Sequence, residues 1–154
     1  MVVVSNSSPL IALQQIHRLD LLQELFHEIL IPSAVAREAA TSVAGIPWIR
    51  IQTLAGPVLP ETQRSSLGQG EREAPTLAKE LKADIVILDD DPARRIGFRL
   101  GLPVMGTVGI LLLAKQRGLL PAVKPLLRDL IEADFFLSPQ IYEMVLKGAG
   151  EDEP

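Results

Sequence analysis

Two runs of β-branched residues in this chain each stop abruptly at polar side chains. Val2-Val3-Val4 gives way to Ser5-Asn6-Ser7-Ser8, and Ile85-Val86-Ile87-Leu88 gives way to Asp89-Asp90-Asp91. Continuous apolar runs of this kind predict parallel strands buried on both faces, and in open α/β sheets ligands bind outside the carboxyl ends of such strands. After the first run, Ser8-Pro9 predicts a helix start with proline in the first turn, where its missing N–H does no harm, and Leu10, Leu13 and Ile16 make an apolar stripe. A second helix is predicted over about 19–26. Glu28-Ile29-Leu30-Ile31 reads as a short strand stopped by Pro32, and Ser33 can cap a helix carrying Val35, Glu38 and Ala39. Positions 48–54 alternate like a strand, broken by Gly56-Pro57, and are placed at a sheet edge.

The second half repeats the alternation. Ala74, Leu77, Ala78 and Leu81 share one face of a helix predicted over 68–83, which leads into the Ile85 strand. Pro75 lies inside that helix, where a proline loses a hydrogen bond and clashes with the preceding turn, so the helix is expected to start near Glu73 or to bend. Pro92 opens a helix bearing Ile96 and Leu100, Gly101 ends it, and Pro103-Val104-Met105 is a further strand. Thr107 is the predicted cap of a helix holding Ile110, Leu111, Leu113 and Ala114, and two more helices follow over 121–132 and 138–146. The order predicts an α/β fold of three layers, α/β/α, around a central parallel sheet. One domain is expected over 1–150, with a short acidic tail over 151–154; no internal repeat or linker interrupts it.

Composition narrows the chemistry. With 154 residues and 47% hydrophobic content the chain can bury a sizeable core. It has no cysteine and only His17 and His27 as imidazoles, which excludes disulfides and thiolate sites and disfavours zinc. No apolar stretch approaches a membrane span and no basic leader precedes the first strand, so a cytoplasmic protein without membrane contact is expected. The net charge of −4 excludes a blanket electrostatic nucleic-acid binder but leaves room for a local basic patch. Ser5, Ser7 and Ser8 with a histidine would make a hydrolase only with a nucleophile elbow, which is missing. Gly70 and Gly106 belong to no full phosphate-binding glycine fingerprint.

Five blocks, taken together and in order, carry a family resemblance: Ser5-Asn6-Ser7-Ser8-Pro9-Leu10-Ile11; Ile31-Pro32-Ser33-Ala34-Val35 leading to Glu38; Gly70-Glu71-Arg72-Glu73-Ala74; Leu88-Asp89-Asp90 with Ala93-Arg94-Arg95; and 106–114. They resemble the successive blocks of PIN-domain proteins, closest to the prokaryotic branch related to VapC toxins, over nearly the whole chain. The resemblance implies a PIN-like fold and a Mg2+ or Mn2+ dependent ribonuclease cutting single-stranded RNA, and it raises the toxin of a toxin–antitoxin pair, with an antitoxin protein as partner. It carries catalytic roles over to Asn6, Glu38, Glu71 and Asp90, and metal ligation to Asn6, Glu71 and Asp90, with Glu73 and Asp89 as second choices. Asn6 stands where active PIN nucleases usually have aspartate; the amide keeps an oxygen donor but loses the charge. A non-catalytic nucleic-acid or protein binding module on the same fold is the alternative.

The chemistry is coherent with that reading. Phosphodiester cleavage needs an activated water and relief of charge on the phosphoryl and leaving oxygens, which bound Mg2+ supplies, and Mg2+ takes a few carboxylates plus water and phosphate. Glu71, Glu73 and the Asp89-Asp90-Asp91 run also have a plainer role as helix N-terminal acids favoured by the macrodipole, and Glu38 one as a solvated helix residue. For substrate contact, Ser7, Ser8 and Thr107 lie at the same strand ends, and Arg94 and Arg95 follow the aspartates; Lys124 and Arg128 share a helical face and are as readily a solvated surface. A small-molecule enzyme would require a deep apolar pocket at the strand ends. Finally, the 110–113 run and the Leu10, Leu13, Leu19, Leu22 stripe suggest more apolar surface than one domain covers, and hence a homodimer.

Overall fold

Parallel strands need cover on both faces, and the two central strands show why. Val3, Val4 and Ser5 of strand β1 (Val3–Ser5) and Val86 and Ile87 of β4 (Ile85–Ile87) are buried. The protein is described here from a computed structural model over residues 1–63 and 66–152; Glu153, one of the acids of the expected tail, lies outside the described residues. β2 (Ile29–Ile31), β3 (Ile49–Ile51) and β5 (Val104–Met105) complete one sheet in the order β3-β2-β1-β4-β5, every pairing parallel. β3 is an edge strand, as its alternation suggests, with Ile49 buried and Arg50 and Ile51 exposed.

Nine α-helices surround the sheet among the described residues: α1 (Ser7–Gln15), α2 (Asp20–Phe26), α3 (Ser33–Glu38), α4 (Ala40–Val43), α5 (Gln69–Leu81), α6 (Asp91–Arg99), α7 (Thr107–Gln116), α8 (Lys124–Glu132) and α9 (Pro139–Gly148). The crossovers β1 to β2 and β4 to β5 move in opposite directions across the sheet, so right-handed connections put their helices on opposite faces. Packing agrees: α1 meets α7 and α8, and α2 meets α7, whereas α5 meets α6 and runs along β1 and β4. The expected three-layer α/β/α arrangement is present.

Two expectations need correcting. α5 does not start near Glu73; it begins at Gln69 and continues through Pro75. The Thr76 hydroxyl donates to Arg72 O at 2.8 Å and accepts from Leu59 N at 3.1 Å, tying the turn at the proline to the preceding loop. Ser33 and Thr107 are the first helical residues of α3 and α7 rather than their caps, which are Pro32 and Gly106. Of the apolar stripes read as a dimer surface, Leu10, Leu13, Leu19, Leu22, Ile110 and Leu111 are buried where α7 packs on α1 and α2, and Leu112 and Leu113 are half-buried. The tail also begins inside the fold, since Glu151 accepts from Lys115 Nζ at 2.8 Å and from the N–H groups of Val123 and Lys124.

Gly97 marks the tightest seam between α6 and the sheet. A Cβ there would lie 2.6 Å from Val104 Cγ2 and 3.2 Å from Leu88 Cδ1. Gly97→Ala is expected to destabilise the protein by about 1–3 kcal/mol through overpacking. Gly148, in α9 with nothing within 4 Å of the same position, should respond with the opposite sign, gaining roughly 0.5–1 kcal/mol as alanine. Urea denaturation of both variants reads this directly; equal midpoints would remove the packing argument.

Candidate active site

The β1–β4 pairing sets the register of the site. Ser5 is opposite Ile87, and the Asn6 N–H donates to Ile87 O at 3.0 Å, so the polar residues after β1 and β4 leave the sheet side by side. This is also where the strand order reverses direction, the usual position of a ligand crevice in an open α/β sheet. Asn6 then caps α1, its Oδ1 accepting from the Ser7 N–H at 2.8 Å. The next two hydroxyls diverge: Ser7 Oγ donates to Glu38 Oε1 at 2.9 Å, and Ser8 Oγ donates to Asp90 Oδ2 at 3.4 Å. Glu38 and Asp90, from helices 52 positions apart by their numbers, thus flank one pair of serines.

Glu71 joins them from the first turn of α5. Burial, the neighbouring Asp90 charge and, to a lesser degree, Glu38 push its carboxyl above the ordinary range, against the pull of the Gly68 N–H. The approach is close because Gly70 has no side chain. Its N–H donates to Glu38 Oε2 at 3.1 Å, while a Cβ would collide with Glu38 Oε1 and stand 3.1 Å from Asn6 Oδ1. Gly70 was visible in the sequence only as part of a block; its role as the surface against which Asn6 and Glu38 meet needed the fold.

The remaining sequence-nominated acids do other work. Glu73 turns to α3, one carboxylate oxygen accepting from the Ala34 N–H at 3.1 Å. Asp89 accepts from Thr107 with both oxygens, at 2.7 Å from the N–H and 2.5 Å from the hydroxyl. Burial raises the Asp89 pKa first, with Asp90 adding, although the Thr107 bonds and Arg94 oppose it. Arg94 donates to Leu88 O at 3.0 Å and lies over the Phe98 ring, 5.4 Å from its centroid; Arg95 is exposed.

The donor set tests the fit to a divalent cation. Three carboxylates, of which Glu71 is raised by the other two, create a demand for positive charge that a hard cation meets. Two features weigh against a ready-made site. Among the described residues no group of three His, Cys, Asp or Glu stands close enough to hold a metal ion. The Asn6 Nδ2, a donor that cannot ligate a cation, is buried with no hydrogen-bond partner among the described residues. The fit therefore rests on Glu71 and Asp90, with Glu38 beside them and Asn6 able to offer only the second lone pair of an oxygen already engaged.

A family model described as a PIN domain, DUF3368, matches residues 2–151. The chain belongs to this PIN-domain family. PIN domains are typically nucleases, and PIN nucleases generally use divalent metals. Among solved structures, a PilT N-terminus domain protein from the hyperthermophilic archaeon Sulfolobus solfataricus P2 is similar in fold, with a TM-score of 0.55 and 21% identity, over 71% of this chain and 90% of that one. No curated protein matches the sequence. Among the described residues no helix of this PIN-domain chain is long and apolar enough to cross a membrane.

The raised Glu71 pKa has a direction in pH. A carboxyl whose folded pKa exceeds its unfolded value contributes stability below the unfolded pKa and loses it as pH rises through the folded one. Glu71→Gln should match the wild type below the ordinary carboxylate range and exceed it in stability near neutral pH. Denaturant midpoints across that range check it; a difference independent of pH would place the Glu71 carboxyl away from Asp90.

Proposed function

We propose that this PIN domain is a divalent-metal-dependent endoribonuclease acting on single-stranded RNA. The observation that carries the reading is the convergence of Glu38, Glu71 and Asp90 on the Asn6-Ser7-Ser8 turn at the strand-order switch. Glu71 and Asp90 would hold Mg2+ or Mn2+, with the Asn6 oxygen as a weaker third donor. When bound, such an ion lowers the pKa of a water and neutralises charge developing on the phosphoryl oxygens. The protein's own residues do the rest: Ser7 and Ser8 orient Glu38 and Asp90 through their hydroxyls, Gly70 leaves room for the approach, and exposed Arg95 offers a bidentate donor to a phosphate. A role as the toxin of a toxin–antitoxin pair, with an antitoxin as partner, is part of the same proposal, and a small antitoxin-like protein encoded next door would support it.

A second reading has one specific observation behind it. The unpartnered Asn6 amide nitrogen is a donor where a metal site would gain from a second carboxylate oxygen, which favours a module that holds nucleic acid or protein without cutting. The two readings separate by substitution. A unit charge pair at 4 Å is worth about 4 kcal/mol at an effective dielectric near 20 before desolvation is subtracted. A net gain of about tenfold in Mg2+ or Mn2+ affinity is therefore expected for Asn6→Asp, together with faster cleavage of single-stranded RNA, whereas Asp90→Asn should abolish both. Calorimetric titration and a cleavage assay measure them; if neither substitution changes metal affinity, the non-cutting module takes over.

Substrate contact gives a separate expectation. Arg95→Ala should reduce the salt dependence of RNA binding by about 0.7 in log–log slope, the value for one phosphate contact on a single strand. An unchanged slope would return Arg95 to the solvated surface.

A further inference from the structure

Beside the acid group, but not containing it, lies a cavity of ≈ 560 Å³ lined among others by Asp89, Asp91, Arg94, Gly109, Phe136 and Ile141. None of Asn6, Glu38, Glu71 or Asp90 lines it, so it is not the pocket a small-molecule enzyme would need around those residues. Yet Asp89 and Asp91, the residues on either side of Asp90, both line it, which puts it beside the acid end of the sheet. Its outer wall is unusual. α8 ends at Glu132, Asp134 takes a left-handed conformation, φ 67°, and the chain then runs through Phe135-Phe136-Leu137 to the Ser138 cap of α9. Phe136 is 87% exposed, an aromatic ring held out at the rim of a cavity with nothing of its own chain covering it.

We propose that this cavity receives a base of single-stranded RNA next to the phosphate at the acid group, with Phe136 as its stacking surface and the Asp91 carboxylate accepting from an exocyclic amine. The inference rests on the nuclease reading and adds a base subsite to it. The lining chemistry selects this occupant. A base offers a flat π face to Phe136 and N–H donors to a carboxylate, and aromatic stacking is tolerant of base identity. The apolar face of a second copy of this chain would cover the ring but strand Asp91 and Arg94 away from water, a penalty that buried charges incur unless paired. Asp89 is already bonded to Thr107, which leaves Asp91, exposed at the start of α6, as the available acceptor. Adenine, cytosine and guanine carry the amine and uracil lacks it, so amine-bearing bases are favoured.

The test is anisotropy of labelled RNA octamers on the full-length protein with Ca2+ in place of Mg2+, comparing oligoadenylate, oligouridylate and an abasic ribose-phosphate octamer of equal charge. Phe136→Ala is expected to weaken oligoadenylate binding about tenfold, within the ~1–3 kcal/mol that stacking contributes per base. Phe136→Trp should restore it, and the abasic octamer should be indifferent to both. Asp91→Ala should narrow the preference for oligoadenylate over oligouridylate. Equal losses on the abasic octamer, or no loss on either, would overturn the base subsite while leaving RNA binding and the nuclease reading in place. A Phe136→Ala protein that turns from dimer to monomer in light scattering would assign the cavity to a second copy instead. If the wild type binds none of the octamers, the nuclease reading itself falls, and the base subsite with it.

Discussion

The pairing of β1 with β4 is the constraint on which the site depends. These strands are far apart in sequence and adjacent in the sheet, with Val3, Val4 and Ser5 opposite Ile85, Val86 and Ile87. Side-chain period in a strand is two, so a slip of one residue would turn Val4 and Val86 out of their layers and carry Asn6 away from the Asp89-Asp90 turn. The buried β-branched residues that fix register for the core therefore also fix the acid geometry. Fold stability and site construction are one problem in this chain, and Gly97, which lets α6 lie against Leu88 and Val104, belongs to both.

A second theme is the use of distant carboxylates as helix caps. α3, α5, α7 and α8 begin at Pro32, Gly68, Gly106 and Val123, none of which caps its helix with a side chain. The orphan N–H groups of their first turns are met instead by Glu73, Glu38, Asp89 and Glu151, respectively. Each such bond joins two segments and so holds tertiary structure as well as the helix end, and the negative charge complements the dipole. Asp84 does the same for a strand end, accepting from the Val2 N–H at 2.6 Å.

This device explains what was legible in the sequence and what was not. The strands, the main helices and their parallel order followed from β-branched runs, proline and glycine punctuation and helical stripes, because those patterns record burial. The short helix α4 carries no such stripe and escaped notice. Among the residues the sequence singles out, Asn6, Glu38, Glu71 and Asp90 share one end of the sheet, and Glu38, like Glu73 and Asp89, also accepts from an N–H group of a helix start. The discriminating feature lies in the fold: Ser33 and Thr107 read as caps in the sequence but stand one residue inside α3 and α7, which leaves those helix starts to the carboxylates of Glu73 and Asp89. Apolar stripes on α1, α2 and α7 cannot reveal by themselves whether they meet each other or another chain. Phe136 left no periodic trace because it lies in the loop after Asp134.

Asn6 gathers these strands into a single trade-off. Its position is set by β1, its oxygen by the α1 N-terminus, and its neighbours Glu38, Glu71 and Asp90 already crowd negative charge. An aspartate there would cap α1 with one oxygen and offer the other to a cation, yet without a cation it would add a fourth charge and push Glu71 further up. The amide removes that repulsion and keeps the cap. Its remaining liability is a buried N–H donor pair without a partner, a deficit of about 1–3 kcal/mol that any bound acceptor, such as a phosphate oxygen, would relieve. Asn6 therefore shifts the balance of the empty site toward stability, and it ties recovery of that deficit to ligand.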